Sequence, residues 1–154
     1  MPGIAKFIQA ASRSLQSLTP FSDLITRLAV AQVFWQSGVN KFQSWDTTLM
    51  LFEYEYAVPF LSPTVAAYLG TAAELVLPVL LVLGLGGRFA ALGLFLFNIV
   101  AVISYPDLSD SGRKFHILWG VLLAITMTHG PGCFSLDALI KRKWDSTRKH
   151  ADGA

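Results

Sequence analysis

Apolar residues run almost unbroken from Val65 to Pro106, where Glu74 and Arg88 are the only charges in 42 residues. Gly84-Leu85-Gly86-Gly87-Arg88 divides the stretch, so the pattern predicts two helices, about 63–84 and 87–105, folded back on each other. Each holds about 20 residues, the length that crosses a hydrocarbon core of roughly 30 Å. Two further helices are predicted on either side. The first, about 21–39, is the most polar, with Asp23, Arg27, Gln32 and Gln36. The last, about 115–128, is short and stops at Gly130-Pro131-Gly132.

The ends of the chain read differently. Ile4, Phe7, Ile8, Ala11, Leu15 and Leu18 recur at helical spacing, with Lys6 and Arg13 on other faces. This fits a helix lying on a membrane surface rather than a cleavable secretory signal, which needs a long apolar core after its basic residues. Beyond the last span, Ser135 is placed to cap an amphipathic helix with Asp137 in its first turn and Lys141, Arg142 and Lys143 towards its end. The expected architecture is all-α: an interfacial amphipathic segment (1–20), a bundle of four transmembrane helices (21–132), and an interfacial helix with a basic tail (133–154).

Composition agrees, with 53% hydrophobic and 14% charged residues and a mean hydropathy of +0.51, outside the usual soluble balance. The distribution of cations says more than the net charge of +2. Lys6, Arg13, Arg88, Lys141, Arg142, Lys143, Arg148 and Lys149 fall on one side, eight against Lys41, Arg113 and Lys114 on the other. That bias places both termini in the cytoplasm. Cys133 is the only cysteine, so no internal disulfide framework exists. The loop 40–62 is dense in aromatics, including Trp45, Tyr54, Tyr56 and Phe60, which suits a segment against the outer interface. Its acids Asp46, Glu53 and Glu55 read as solvated, with a cationic partner or a metal ion as the sharper alternative.

Candidate chemistry gathers on polar residues inside spans, which are costly there and point to function by default. Glu74 sits mid-span, and Pro78 removes the donor that its backbone carbonyl would otherwise receive. Arg27 shares a helical face with Asp23, Ala31, Phe34, Gly38 and Lys41, and should turn inward to pair with Glu74 or Asp23. The expected geometry joins Arg27 and Glu74 in one polar network, with a purely structural ion pair as the bland alternative. His116 can titrate, ligate a metal or form a plain hydrogen bond, and Asn98 is expected to hydrogen-bond between helices. Met127, His129 and Cys133 form a short soft-ligand string of the kind copper(I) takes. Nothing matches a dinucleotide fingerprint, a P-loop or a zinc-protease helix, and no nucleic-acid partner is implied.

The ordered set RLAVAQVFWQSGVNK, GTAAELVLPVLLVLGLGGRFAAL and GPGCFSLDALI resembles the DoxX family of small bacterial four-helix membrane proteins, over about residues 24–140. The resemblance implies a bacterial inner-membrane protein linked to redox or sulfur metabolism, or to metal handling, and carries over Arg27, Lys41, Glu74 and Arg88. The leading expectation is an accessory subunit that docks a redox or metal-handling protein partner in the bilayer, with no cofactor of its own. A quinone site near Arg27, Glu74 and His116 is the enzyme-class alternative, as an oxidoreductase subunit. A small transporter is the third.

Overall fold

A computed structural model describes residues 2–151, with side chains at all of these but 2, 3, 5, 6, 8, 10, 11, 147 and 149–151. The described residues form helices α1 (Pro2–Gln16), α2 (Thr19–Gln43), α3 (Trp45–Tyr54), α4 (Pro63–Leu83), α5 (Gly87–Ser104), α6 (Asp110–His129) and α7 (Leu136–Ala151), with no strand among them. Helices α2, α4, α5 and α6 pack as a closed ring. Its core is Val30, Ala31 and Phe34 from α2, Leu81 from α4, Ala90, Ala91 and Leu94 from α5, and Leu123 from α6. Alanines at the crossing points let the helices approach closely, while Phe34 fills the centre against Phe97 and Trp119.

Helices α4 and α5 are long and apolar enough to cross a membrane. Their outward faces carry exposed Leu69, Val76, Phe89, Leu96 and Ile103. Gly84 closes α4 in the left-handed conformation (φ +63°), a backbone that glycine adopts without penalty. Helix α5 then starts at Gly87, where the Asp137 carboxylate accepts from Gly86 N at 2.9 Å and Gly87 N at 3.0 Å. An acid from α7 thus caps α5, satisfying orphan donors and meeting the positive end of the helix dipole. Ser135 Oγ accepts from Ala138 N at 3.2 Å, so the expected cap of α7 is present.

Two boundaries differ from the sequence reading. Helix α2 continues to Gln43 instead of stopping near Val39, and α6 begins at Asp110, where Ser109 Oγ caps it by accepting from Gly112 N. Both extensions are polar turns that a hydropathy pattern cuts short, although their backbone bonds continue the helix. The 40–62 segment also contains a helix, α3, seated on α4 through Phe52, Ala66 and Ala67. On α1, Ile4, Phe7 and Leu15 are exposed. The expectations for Lys6, Ile8, Ala11 and Lys149 concern side chains outside those described.

Candidate functional site

The site begins with a glycine. A Cβ at Gly38 would lie 2.9 Å from Glu74 Cβ and 3.1 Å from Glu74 C, so only glycine lets α2 reach α4 at the level of Glu74. Ser37 and Lys41, one turn apart on α2, flank the same contact. Lys41 Nζ donates to Glu74 Oε1 at 2.8 Å, to Oε2 at 2.7 Å and to Ser37 Oγ at 2.8 Å. Ser37 Oγ donates to Glu74 Oε1 at 3.1 Å. The side chains of Lys41 and Glu74 are 16% and 6% exposed, so this ion pair is largely desolvated. Burying two charges costs several kcal/mol each, and such a pair persists when geometry and extra hydrogen bonds compensate, as Ser37 does here. Thr48 Oγ1 donates to Lys41 O at 2.9 Å and ties α3 to the same turn of α2.

Beside the pair lies a cavity of about 360 Å³ between α2, α3, α4, α5 and α6. Phe52, Leu69, Phe97, Val100 and Ala101 supply its apolar walls, and Gly70 leaves room beside the Phe52 ring. Its polar lining is Ser37, Lys41 and Glu74 from α2 and α4, and Tyr56, Ser104, Tyr105 and His116 from the 55–62 loop, the end of α5 and α6. The Tyr56 and Tyr105 rings meet edge to face at 5.2 Å. Burial, with help from Tyr105, Glu55 and Glu74, pushes the Tyr56 phenol up, so it stays a neutral hydroxyl. Ser104 Oγ is buried without a partner, while its backbone carbonyl accepts from Ala57 N at 2.8 Å and anchors the 55–62 loop to α5. Asn98 and His116 pair across α5 and α6: Asn98 Nδ2 donates to His116 O at 2.9 Å, and Asn98 Oδ1 meets His116 Nδ1 at 2.7 Å. A concave, mostly apolar space with a few convergent polar groups is the usual form of a small-molecule site.

Arg27 does not join this cluster, which corrects the expected Arg27–Glu74 network. It is 1% exposed at the opposite end of the bundle, where Nη1 donates to Leu81 O at 3.2 Å and Val82 O at 2.9 Å, and Nη2 to Phe134 O at 2.6 Å. Carbonyls at the end of α4 run short of helical donors: Leu81 O keeps one bond, from Gly84 N at 3.2 Å, and it and Val82 O take the guanidinium expected to pair with Glu74 or Asp23. No ion pair joins Arg27 to Asp23 or Glu74 among the described residues. Arg88 is exposed, near His129 O at 3.5 Å. Met127 packs against the apolar core, while His129 and Cys133 are exposed at the same end of the bundle. Asp46, Glu53 and Glu55 are exposed on or just after α3.

Sequence reasoning brought forward Lys41, Glu74, Asn98 and His116, and the structure gathers Lys41, Glu74 and His116 around one cavity, with Asn98 behind His116. It passed over Ser37, Thr48, Ser104 and Tyr105 as ordinary polar residues. Only Ser37 carried a signal, standing four residues before Lys41 on one helical face.

The family model for DoxX matches residues 22–106. An uncharacterized protein of Haemophilus influenzae is 33% identical over 128 residues, covering 77% of this chain and 83% of the relative. No solved structure matches the chain.

Proposed function

This chain belongs to the DoxX family of membrane proteins, and from that premise we propose a four-span subunit of the bacterial inner membrane that holds a quinone-class molecule for a redox partner protein. The observation that carries the reading is the cavity of about 360 Å³. Its apolar walls suit a substituted ring, and its two sets of polar groups suit the oxygens of that ring. Lys41 and Glu74 set a charged edge, and His116 with the two tyrosines sets a hydrogen-bonding one.

Supporting the span count, α2 and α6, of 25 and 20 residues, reach about 37 and 30 Å at roughly 1.5 Å per residue. They stand in one ring with the two apolar helices. Supporting both termini in the cytoplasm, the loop between α4 and α5 and the basic residues of α7 lie at one end of that ring. The cavity lies at the other, which this orientation makes the outer leaflet. Amphipathic α1 and α7 then lie along the inner interface.

Titration of the purified protein in lipid nanodiscs with a short-chain benzoquinone tests the reading, with quenching of Trp119 and Trp45 fluorescence as the signal. Saturable binding is expected, and Ala101→Phe, which fills the cavity from α5, should abolish it. Absence of saturable binding to the wild type overturns the quinone site. Purification in mild detergent should recover a stoichiometric partner, and turnover by the isolated chain would overturn the subunit role.

A further inference from the structure

Asn98 fixes more than a helix contact. Its side-chain amide meets two groups of His116, and one of them, the backbone carbonyl, only accepts hydrogen bonds. The nitrogen Nδ2 must therefore face His116 O, at 2.9 Å, which turns Oδ1 toward the ring at 2.7 Å from Nδ1. An amide oxygen also only accepts, so Nδ1 carries the proton. No carboxylate pairs with the ring among the described residues, and a neutral imidazole with Nδ1–H has a bare acceptor at Nε2. His116 lines the cavity and also the groove between α5 and α6, and among the described residues its ring hydrogen-bonds only through Nδ1.

The edge from α2 and α4 offers the same polarity. Lys41 and Glu74 both line the cavity, but Lys41 spends its ammonium on Ser37 and both oxygens of Glu74, so the capacity left at this edge is the lone pairs of a carboxylate. Tyr56, Ser104 and Tyr105 carry hydroxyls, which donate or accept and do not discriminate. The charged edge and the imidazole both ask for donors.

Resting on the reading of the cavity as a quinone-class site, we propose that it selects the hydroxyl-bearing, hydroquinone form of such a molecule. His116 Nε2 accepts from one ring hydroxyl, and Asn98 is the positioning residue that keeps Nε2 unprotonated. A quinone carbonyl in the same place would set lone pair against lone pair and leave a desolvated acceptor unpaired, which costs more than a missing bond. The reduced form should therefore bind at least about tenfold more tightly, the ratio that one hydrogen bond of ordinary strength sets.

The test measures dissociation constants of decylubiquinol and decylubiquinone on the full chain in nanodiscs, under anaerobic conditions, for the wild type, Asn98→Asp and Asn98→Leu. Asn98→Asp sets a carboxylate against Nδ1 and favours the imidazolium, whose Nε2–H donates instead of accepting, so the preference should vanish or turn toward the quinone. Asn98→Leu frees the ring to adopt the other tautomer, and the preference should fall toward one. A second measurement needs no variant at position 98: nitrogen-15 spectra of histidine-labelled protein, in a His129→Gln, His150→Gln background, should show Nδ1 protonated and Nε2 bare. Equal binding of both forms by the wild type, or a spectrum with Nε2 protonated, overturns this selectivity and leaves the cavity reading standing. Binding of neither form overturns the cavity reading and the selectivity with it.

Discussion

Two buried charges on this bundle are stabilised in opposite ways, and substitution separates them. Glu74 is held by a cation, so Glu74→Ala leaves the Lys41 ammonium buried and unpaired. A loss of about 3–5 kcal/mol is expected, as for other broken buried pairs, measured by thermal unfolding in detergent. Replacing both partners with apolar groups, Lys41→Met with Glu74→Leu, should recover most of that stability, because the desolvation cost disappears along with the attraction. Quinone-class binding should not return with it. Arg27 is held by three carbonyls. Arg27→Lys keeps the charge but loses the planar fork that reaches α4 and the loop at Phe134 together. The expected cost is about 2–3 kcal/mol, the scale of one charged hydrogen bond and its stranded acceptor, with faster tryptic cleavage at Lys141–Lys143 as α7 loosens.

Among the helices, the joint between α4, α5 and α7 is where a local change should have the most visible local effect. Asp137→Ala removes the acceptor for Gly86 N and Gly87 N. A cap of this kind is worth about 1–2 kcal/mol, and hydrogen exchange over 86–90 should rise while that of α2 stays unchanged. The same joint shows what the sequence can and cannot tell. The two apolar helices and the glycine turn between them were legible from hydropathy alone. So was a cap at Ser135, because capping is a property of neighbouring residues. That Asp137 caps α5 as well depends on a contact 50 residues away in the chain, and no periodicity encodes it. For the same reason Arg27 was legible as buried but not as a ligand of backbone carbonyls, since carbonyls leave no mark in a sequence. Lys41 met Glu74 because Gly38 lets α2 reach α4, and Gly38 read simply as one small residue on a face. Helix α3 was hidden by length: ten residues between longer elements carry too little pattern to stand out from an interfacial loop.

For the whole molecule, the proposed orientation can be tested with its one cysteine. Cys133 is exposed at the end of the bundle that bears the basic loop and α7. A membrane-impermeant maleimide should leave it unlabelled in intact spheroplasts and label it once the membrane is opened. In a Cys133→Ser background, Ser62→Cys, just ahead of α4 at the other end, should show the reverse. Labelling of Cys133 from outside would invert the topology and place the cavity in the inner leaflet.

The rim of that cavity sets the units in which its affinity has to be expressed. Leu69 and Val100 line it and are also exposed on the outward faces of α4 and α5, so its mouth opens sideways onto acyl chains. A molecule reaching it would come from solution in lipid, having already left water, and the bilayer acts as its reservoir. Occupancy then follows mole fraction in the membrane. Doubling the lipid at fixed protein should weaken the apparent constant counted against total volume by close to half for a strongly partitioning ligand, while the constant counted per lipid stays fixed.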